Sequence, residues 1–403
     1  MDISVRSRLS GLMFFQYFIW GAWYVTMGTY LFTALKADAI QIGSSYANLS
    51  IAAIISPFIV GLIADRFFSA QKVLGVLHLL GALTLYYVST VSDFTSFWWL
   101  ILVYTLLYMP TISLSNSISF SQMKDAGKEF PAVRVFGTVG WIVAGIMISY
   151  LDLESSVLTF RIAAACSLLL GIFSFFLPDT PAKNEKASIA GILGLDALVL
   201  FKNQSFNVFF ITSILICIPL AFYYGFTNPF LNDIGLENAA GKMTLGQVSE
   251  VVFMLVLPLL YVRLGVKKVL LIGMAAWVAR YLFFAFGDAG PGVWMLYGGI
   301  VLHGICYDFF FVTGQIYIDK KADAKVRSAA QGLITLATYG VGMLIGSFAS
   351  GYLTEQYGSN INGVMKYDWQ TIWMYPAGIA VAVIIIFSLL FKEKESKTRN
   401  SGL

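Results

Sequence analysis

DTPAKNEKASIAGILGLDALVLFKNQS, residues 179–205, is the longest polar stretch between apolar runs in this chain of 403 residues. It begins beside Pro181, crosses a charged patch at Lys183, Glu185 and Lys186, and continues through Gly194-Leu195-Asp196. On each side lie about six runs long enough for a bilayer core, which takes roughly 20 residues of helix. Before the loop these are approximately 9–34, 41–64, 72–91, 96–119, 132–151 and 158–177. After it come 206–231, 243–262, 268–287, 292–318, 327–353 and 370–391. The reading is an all-α membrane protein of twelve transmembrane helices. An N-terminal six-helix half (1–178) and a C-terminal half with a short basic tail (205–403) are joined by an inter-half loop (179–204).

Composition supports a lipid environment. Charged residues are 12% of the chain and hydrophobic ones 58%, and the mean hydropathy is +0.77. A soluble domain carries about twice that charge and has no place for so much apolar surface. The first run is too long for a signal-peptide core and has no small-residue cleavage site, so it reads as retained.

Lys and Arg orient the spans. With both termini inside, only Lys36, Arg161, Lys242, Arg280 and Lys366 of the 26 basic residues fall outside or near outer helix ends. One span more or fewer would reverse the alternation and spoil this sorting. Both termini are therefore expected in the cytoplasm, with the chain in the cytoplasmic (inner) membrane. The net charge of +4 is a property of inner loops and implies no nucleic-acid partner. Each half also contains a proline-bearing helix that ends in a short basic loop. Pro57 leads to Asp65, Arg66 and Lys72, and Pro258 leads to Arg263, Lys267 and Lys268. Matched positions of this kind suggest a parallel internal repeat.

Ionisable groups inside spans cost about 2.5–3.5 kcal/mol each at mid-helix, which makes them functional candidates. Arg134, Glu250, Asp308 and Arg280 are the ones here. Arg134, Thr138 and Trp141 share a helical face at i, i+4 and i+7, and Gln247 and Glu250 share another at i, i+3. His303 and Tyr307 form a third stripe, with Asp308 beside it. The competing readings are an Arg134 that snorkels to the inner surface, structural ion pairs for Glu250 and Asp308, and simple packing for His303 and His78. If Glu250 faces a cavity, burial favours its neutral form and a nearby Arg134 its charged form. A carboxylate between those influences can exchange a proton as the cavity opens to each side.

Cys166, Cys217 and Cys306 lie apart in apolar runs and suggest neither disulfide nor zinc. The chain has no Walker loop, HExxH or GxSxG motif. No enzyme activity, metal or cofactor is expected.

In order along the chain come Gln16, Trp20-Gly21-Ala22-Trp23, Ile51-Ala52-Ala53, Gly61-Leu62-Ile63-Ala64-Asp65, Tyr108-Met109-Pro110-Thr111 and Arg134 with Gly137-Thr138. Gly194-Leu195-Asp196-Ala197, Phe201-Lys202-Asn203, Asn228, Gln247-Val248-Ser249-Glu250, Asp308-Phe309-Phe310, Ala330-Gln331-Gly332 and Asp368-Trp369-Gln370-Thr371 follow. This ordered set resembles the nucleoside:proton symporters of the major facilitator superfamily, the nucleoside and xanthosine permease type. The resemblance implies the major facilitator fold and import of nucleosides with protons by alternating access, with a monomer expected.

It also implies substrate-binding roles for Arg134, Thr138, Gln247 and Glu250. Trp141, Tyr224, Asn228, His303 and Tyr307 join them as expected lining residues. Glu250, Asp308, Arg134 and Asp65 are expected in proton coupling or gating. The chain departs from the family pattern at Ala221 and Tyr224, where amide side chains are expected, at His303 in place of a tyrosine, and at Phe67-Phe68. These departures bear on nucleobase preference. The alternatives are another small polyhydroxylated solute, such as a sugar or glycoside, and a non-transporting membrane sensor.

Overall fold

The computed structural model describes residues 2–59, 68–181, 195–323, 326–361 and 364–392. In the first half the helices are α1 Ile3–Trp23, α2 Met27–Thr33, α3 Ala39–Ile59, α4 Ala70–Val88, α5 Phe94–Ser121, α6 Ala126–Tyr150 and α7 Leu158–Ser174. The second half holds α8 Gln204–Asp233, α9 Ala239–Phe286, α10 Val293–Tyr307, α11 Thr313–Lys321, α12 Arg327–Thr335, α13 Met343–Gln356 and α14 Trp369–Leu390. Among the described residues, nine helical stretches are long and apolar enough to cross a membrane, and α7 is a shorter apolar helix.

Side-chain oxygens set several helix starts by occupying N–H groups that the first turn leaves free. Asp93 accepts from the Ser96 amide at 2.8 Å at the head of α5. This divides the third and fourth expected spans, which the sequence separates least clearly. Asn203 accepts from the Ser205 and Phe206 amides ahead of α8, and Asp368 accepts from the Thr371 amide ahead of α14.

The eighth and ninth expected spans form one 48-residue element, α9, bent at Gly265. A straight helix of that length would run about 72 Å, more than twice the bilayer core. Gly265 has φ 74° and ψ 171°, a backbone region that strongly favours glycine. The two arms lie against α10 at one level: Gly246 approaches His303 while Phe284 of the other arm approaches Gly299. Two further departures from regular α-helix are π-helical turns at Asp308–Val312 and Leu336–Gly342. Between α13 and α14 a small antiparallel hairpin pairs β1 Gly358–Ile361 with β2 Val364–Tyr367. The sequence reading has no strand there.

In the first half, α1 packs on α6 and α7, α4 on α5 and α7, and α3 on α5. A buried polar knot ties four of these helices together. Gln16 Nε2 donates to Thr111 Oγ1 at 2.6 Å, its Oε1 lies 2.9 Å from His78 Nε2, and His78 Nδ1 lies 3.1 Å from Ser167 Oγ. His78 therefore packs as a bonded core residue. In the second half, α9 packs on α10 and α14, and α8 on α13 and α14.

The halves meet through α3 and α13, α6 and α9, and α2 and α8. A Cβ on Gly43 would lie 2.9 Å from Gly351 Cα, and one on Gly28 would lie 2.6 Å from the Gly225 oxygen. Within the first half, a Cβ on Gly140 would run into the Phe14 carbonyl where α6 crosses α1. Gly140→Val is expected to destabilise the fold by about 1–3 kcal/mol through overpacking. Thermal unfolding of the purified protein measures this, and an unchanged midpoint would contradict so close a crossing.

Candidate functional site

A narrow cavity of about 10 Å³, room for roughly one water molecule, lies between the halves. Gly21, Val25, Thr26, Trp141, Gly145 and Ile148 line it from the first half, and Tyr223, Tyr224, Ala240, Met243, Thr244 and Gln247 from the second. Trp141 stands against Trp20 edge to face, with ring centroids 5.4 Å apart. Tyr224 leans on Tyr24 at 5.5 Å. The wall is therefore aromatic on both sides, with the Gln247 amide as a polar group among the lining residues.

Arg134 enters from α6. Its guanidinium carbon lies 4.0 Å from the centre of the Tyr17 ring, a cation–π contact. A Cβ on Gly137 would lie 2.6 Å from Arg134 Nη1. The side chain thus folds one turn along α6 across a glycine, away from the start of the helix and against the snorkelling alternative. Thr138 is half-buried on the next turn. Arg134→Lys keeps the charge but loses the planar fork and the fit over Tyr17.

Glu250 is half-buried on α9. Among the described residues it forms no ion pair with Arg134. Behind it, α9 and α10 are in backbone contact. Gly304 N donates to Ser249 Oγ at 3.0 Å, and a Cβ on Gly304 would lie 2.5 Å from Glu250 N. Only a residue without a side chain fits there. Asp308 is buried at the start of the first π-helical turn, and among the described residues neither carboxylate oxygen has a hydrogen-bond partner. An unpartnered charged carboxylate in that position is costly. Such turns often mark functional positions.

Tyr307 shares a hydroxyl–hydroxyl hydrogen bond with Tyr339 of the second π-helical turn, a partner the sequence reading missed. His303 stacks on Tyr223 at 5.1 Å and lies 5.8 Å from Tyr307. Arg280, buried on the second arm of α9, places Nη1 3.0 Å from His303 Nδ1. Asp65 lies outside the described residues.

Asn228 is part of the closure between the halves. It accepts from Thr29 Oγ1 at 2.6 Å and donates to Glu154 Oε2 at 2.8 Å. Glu154, from the segment between α6 and α7, also accepts from Asn232 Nδ2 at 2.9 Å, Ala240 N at 2.8 Å and Ser149 Oγ at 3.2 Å. This buried carboxylate binds the first half to α8 and α9 beside the cavity. An acidic residue in Leu153-Glu154-Ser155 carries no local sign of that role. The available signal was Asn228 and Asn232, one turn apart in an otherwise apolar span.

A family model described as nucleoside H+ symporter matches residues 1–396. YegT of Escherichia coli (strain K12) is 45% identical over 408 residues, covering 98% of this chain and 96% of that protein. The xanthosine permease of the same organism is 39% identical over 407 residues, covering 97% and 96%. The crystal structure of the nucleoside transporter NupG superposes with a TM-score of 0.89 at 34% identity, covering 98% of this chain and 100% of that one.

Proposed function

Because this chain belongs to the nucleoside H+ symporter family, we propose that it imports nucleosides together with protons by alternating access. It is a multi-pass membrane transporter of the major facilitator type, and its family works by transport rather than catalysis. The carrying observation is a nearly closed seam lined equally by both halves, with Arg134, Gln247 and Glu250 on the facing helices α6 and α9. Such a site can be exposed to each side in turn as the halves rock.

In this reading the bent pair α1–α2, the two arms of α9, α10 with α11, and α12 with α13 complete a set of twelve spans. The distribution of basic residues supports a reading with both termini in the cytoplasm of an inner-membrane protein. The units 1–178 and 205–403 move about the 179–204 connection, and the monomer is the working unit. The closure around Glu154 then lies on the outer side, which makes this the outward-closed state. Arg134, Thr138, Gln247 and Glu250 hold the ribose and base edges, Trp141, Tyr224, His303 and Tyr307 form the wall, and Glu250 and Asp308 handle the proton.

Uptake of radiolabelled uridine and adenosine in expressing cells, with and without a proton uncoupler, tests the reading. Uncoupler-sensitive uptake that unlabelled nucleosides compete for, and sugars do not, is expected. Competition by sugars alone would move the assignment to another polyhydroxylated solute.

A further inference from the structure

Arg280 has no exposed surface, and among the described residues it makes no ion pair. Its guanidinium carbon lies 3.4 Å from the centre of the Tyr223 ring, with Trp277 and Phe284 at 5.9 and 5.8 Å. Three rings fix its direction. One N–H group, at Nη1, reaches His303 Nδ1 at 3.0 Å, while among the described residues Nε and Nη2 have no hydrogen-bond partner. A guanidinium is only ever a donor and stays charged in proteins, so the nitrogen it meets must offer a lone pair. A neutral imidazole has one N–H, and that proton is then left to Nε2.

We propose that Arg280 is the positioning residue that holds His303 as the neutral Nε2–H tautomer, so that the ring presents a fixed hydrogen-bond donor to an acceptor on the substrate base. The acceptor is a carbonyl oxygen or an unprotonated ring nitrogen. Among the described residues no protein group bonds Nε2, which leaves this donor to be satisfied by what enters the site. His303 stacks on Tyr223 and stands 6.4 Å from Tyr224, and both tyrosines line the cavity. A Cβ on Gly246, the neighbour of Gln247, would lie 3.1 Å from His303 Cβ. The ring is therefore next to the lining, with its orientation set by a guanidinium that packs on the same Tyr223 ring. The substrate contact rests on the nucleoside reading above; the tautomer does not.

The chain has two histidines, so a nitrogen-15 spectrum of histidine-labelled protein contains two rings, assigned by difference against His303→Gln. The expected wild-type signature for His303 is a protonated Nε2 and an unprotonated Nδ1, replaced by a mixture of tautomers in Arg280→Met. A wild-type ring protonated at Nδ1, or at both nitrogens, would overturn the proposal. The second arm is equilibrium binding of labelled uridine. His303→Phe is expected to weaken it about tenfold, the effect of losing one buried hydrogen bond, whereas His303→Gln, which keeps an N–H, retains most of it. Equal binding by His303→Phe would overturn the donor role. A wild type that binds no nucleoside while showing the Nε2–H signature would refute the nucleoside reading alone.

Discussion

Glu250→Gln is expected to abolish gradient-driven accumulation of nucleoside, by roughly 100-fold or more, while exchange of nucleoside across the membrane at equal concentrations survives. A hundredfold loss corresponds to about 2.7 kcal/mol. The amide has the shape of the carboxylate and keeps hydrogen-bonding groups beside Gln247, but it cannot take up and release a proton. Glu250 lies on α9 facing the helix that carries Arg134, and its backbone is fixed by the glycine contact with α10. Reconstituted protein separates the two readouts, with accumulation measured under an imposed proton gradient and exchange without one. Uncoupler-sensitive accumulation at the wild-type level would remove Glu250 from the coupling step.

The second large effect is expected at Glu154. Its carboxylate accepts four hydrogen bonds, three of them from the other half. A bond to a charged group is worth about 1.5–3 kcal/mol, and truncation also leaves the Asn228 and Asn232 amides short of a partner. Glu154→Ala therefore removes several kcal/mol from the closed state. Since each 1.4 kcal/mol is about tenfold in a population ratio, the equilibrium should move at least tenfold toward the state open on that side. Spin labels at the exposed positions Ser155 and Glu237, in a background without native cysteines, would report a longer distance in the variant. Glu154→Gln, which keeps an acceptor oxygen, should fall between. A distance distribution unchanged from wild type would mean that the remaining contacts, the glycine crossings and the Thr29–Asn228 bond among them, suffice to hold the halves together.

The parts of this site legible in the sequence were those in which a polar group interrupts an apolar helix. Arg134, Gln247, Glu250 and Asp308 stand out because insertion makes such residues expensive. Their helical spacing placed Arg134 with Trp141, and Gln247 with Glu250, on common faces. Pairings between distant helices left no such mark. Nothing local to Glu154 points to Asn228, Asn232 and Ala240, and nothing near Tyr307 points to Tyr339. Asn228 was legible as polar, but its neighbours in space make it a closure residue in this state. Arg280 was noticed as a charge, whereas its contact with His303 depends on the bend at Gly265. Asn362-Gly363, a sequence favoured in tight hairpins, was the missed sign of the β1–β2 pair; it lies outside the described residues.

The coupling of nucleoside to proton is tested most directly in proteoliposomes carrying a pH-sensitive dye inside, with uridine added outside and no gradient imposed. Wild-type protein should acidify the interior when uridine enters, adenosine should do the same, and Glu250→Gln should give no acidification. Nucleoside entry without any movement of protons in the wild type would contradict symport.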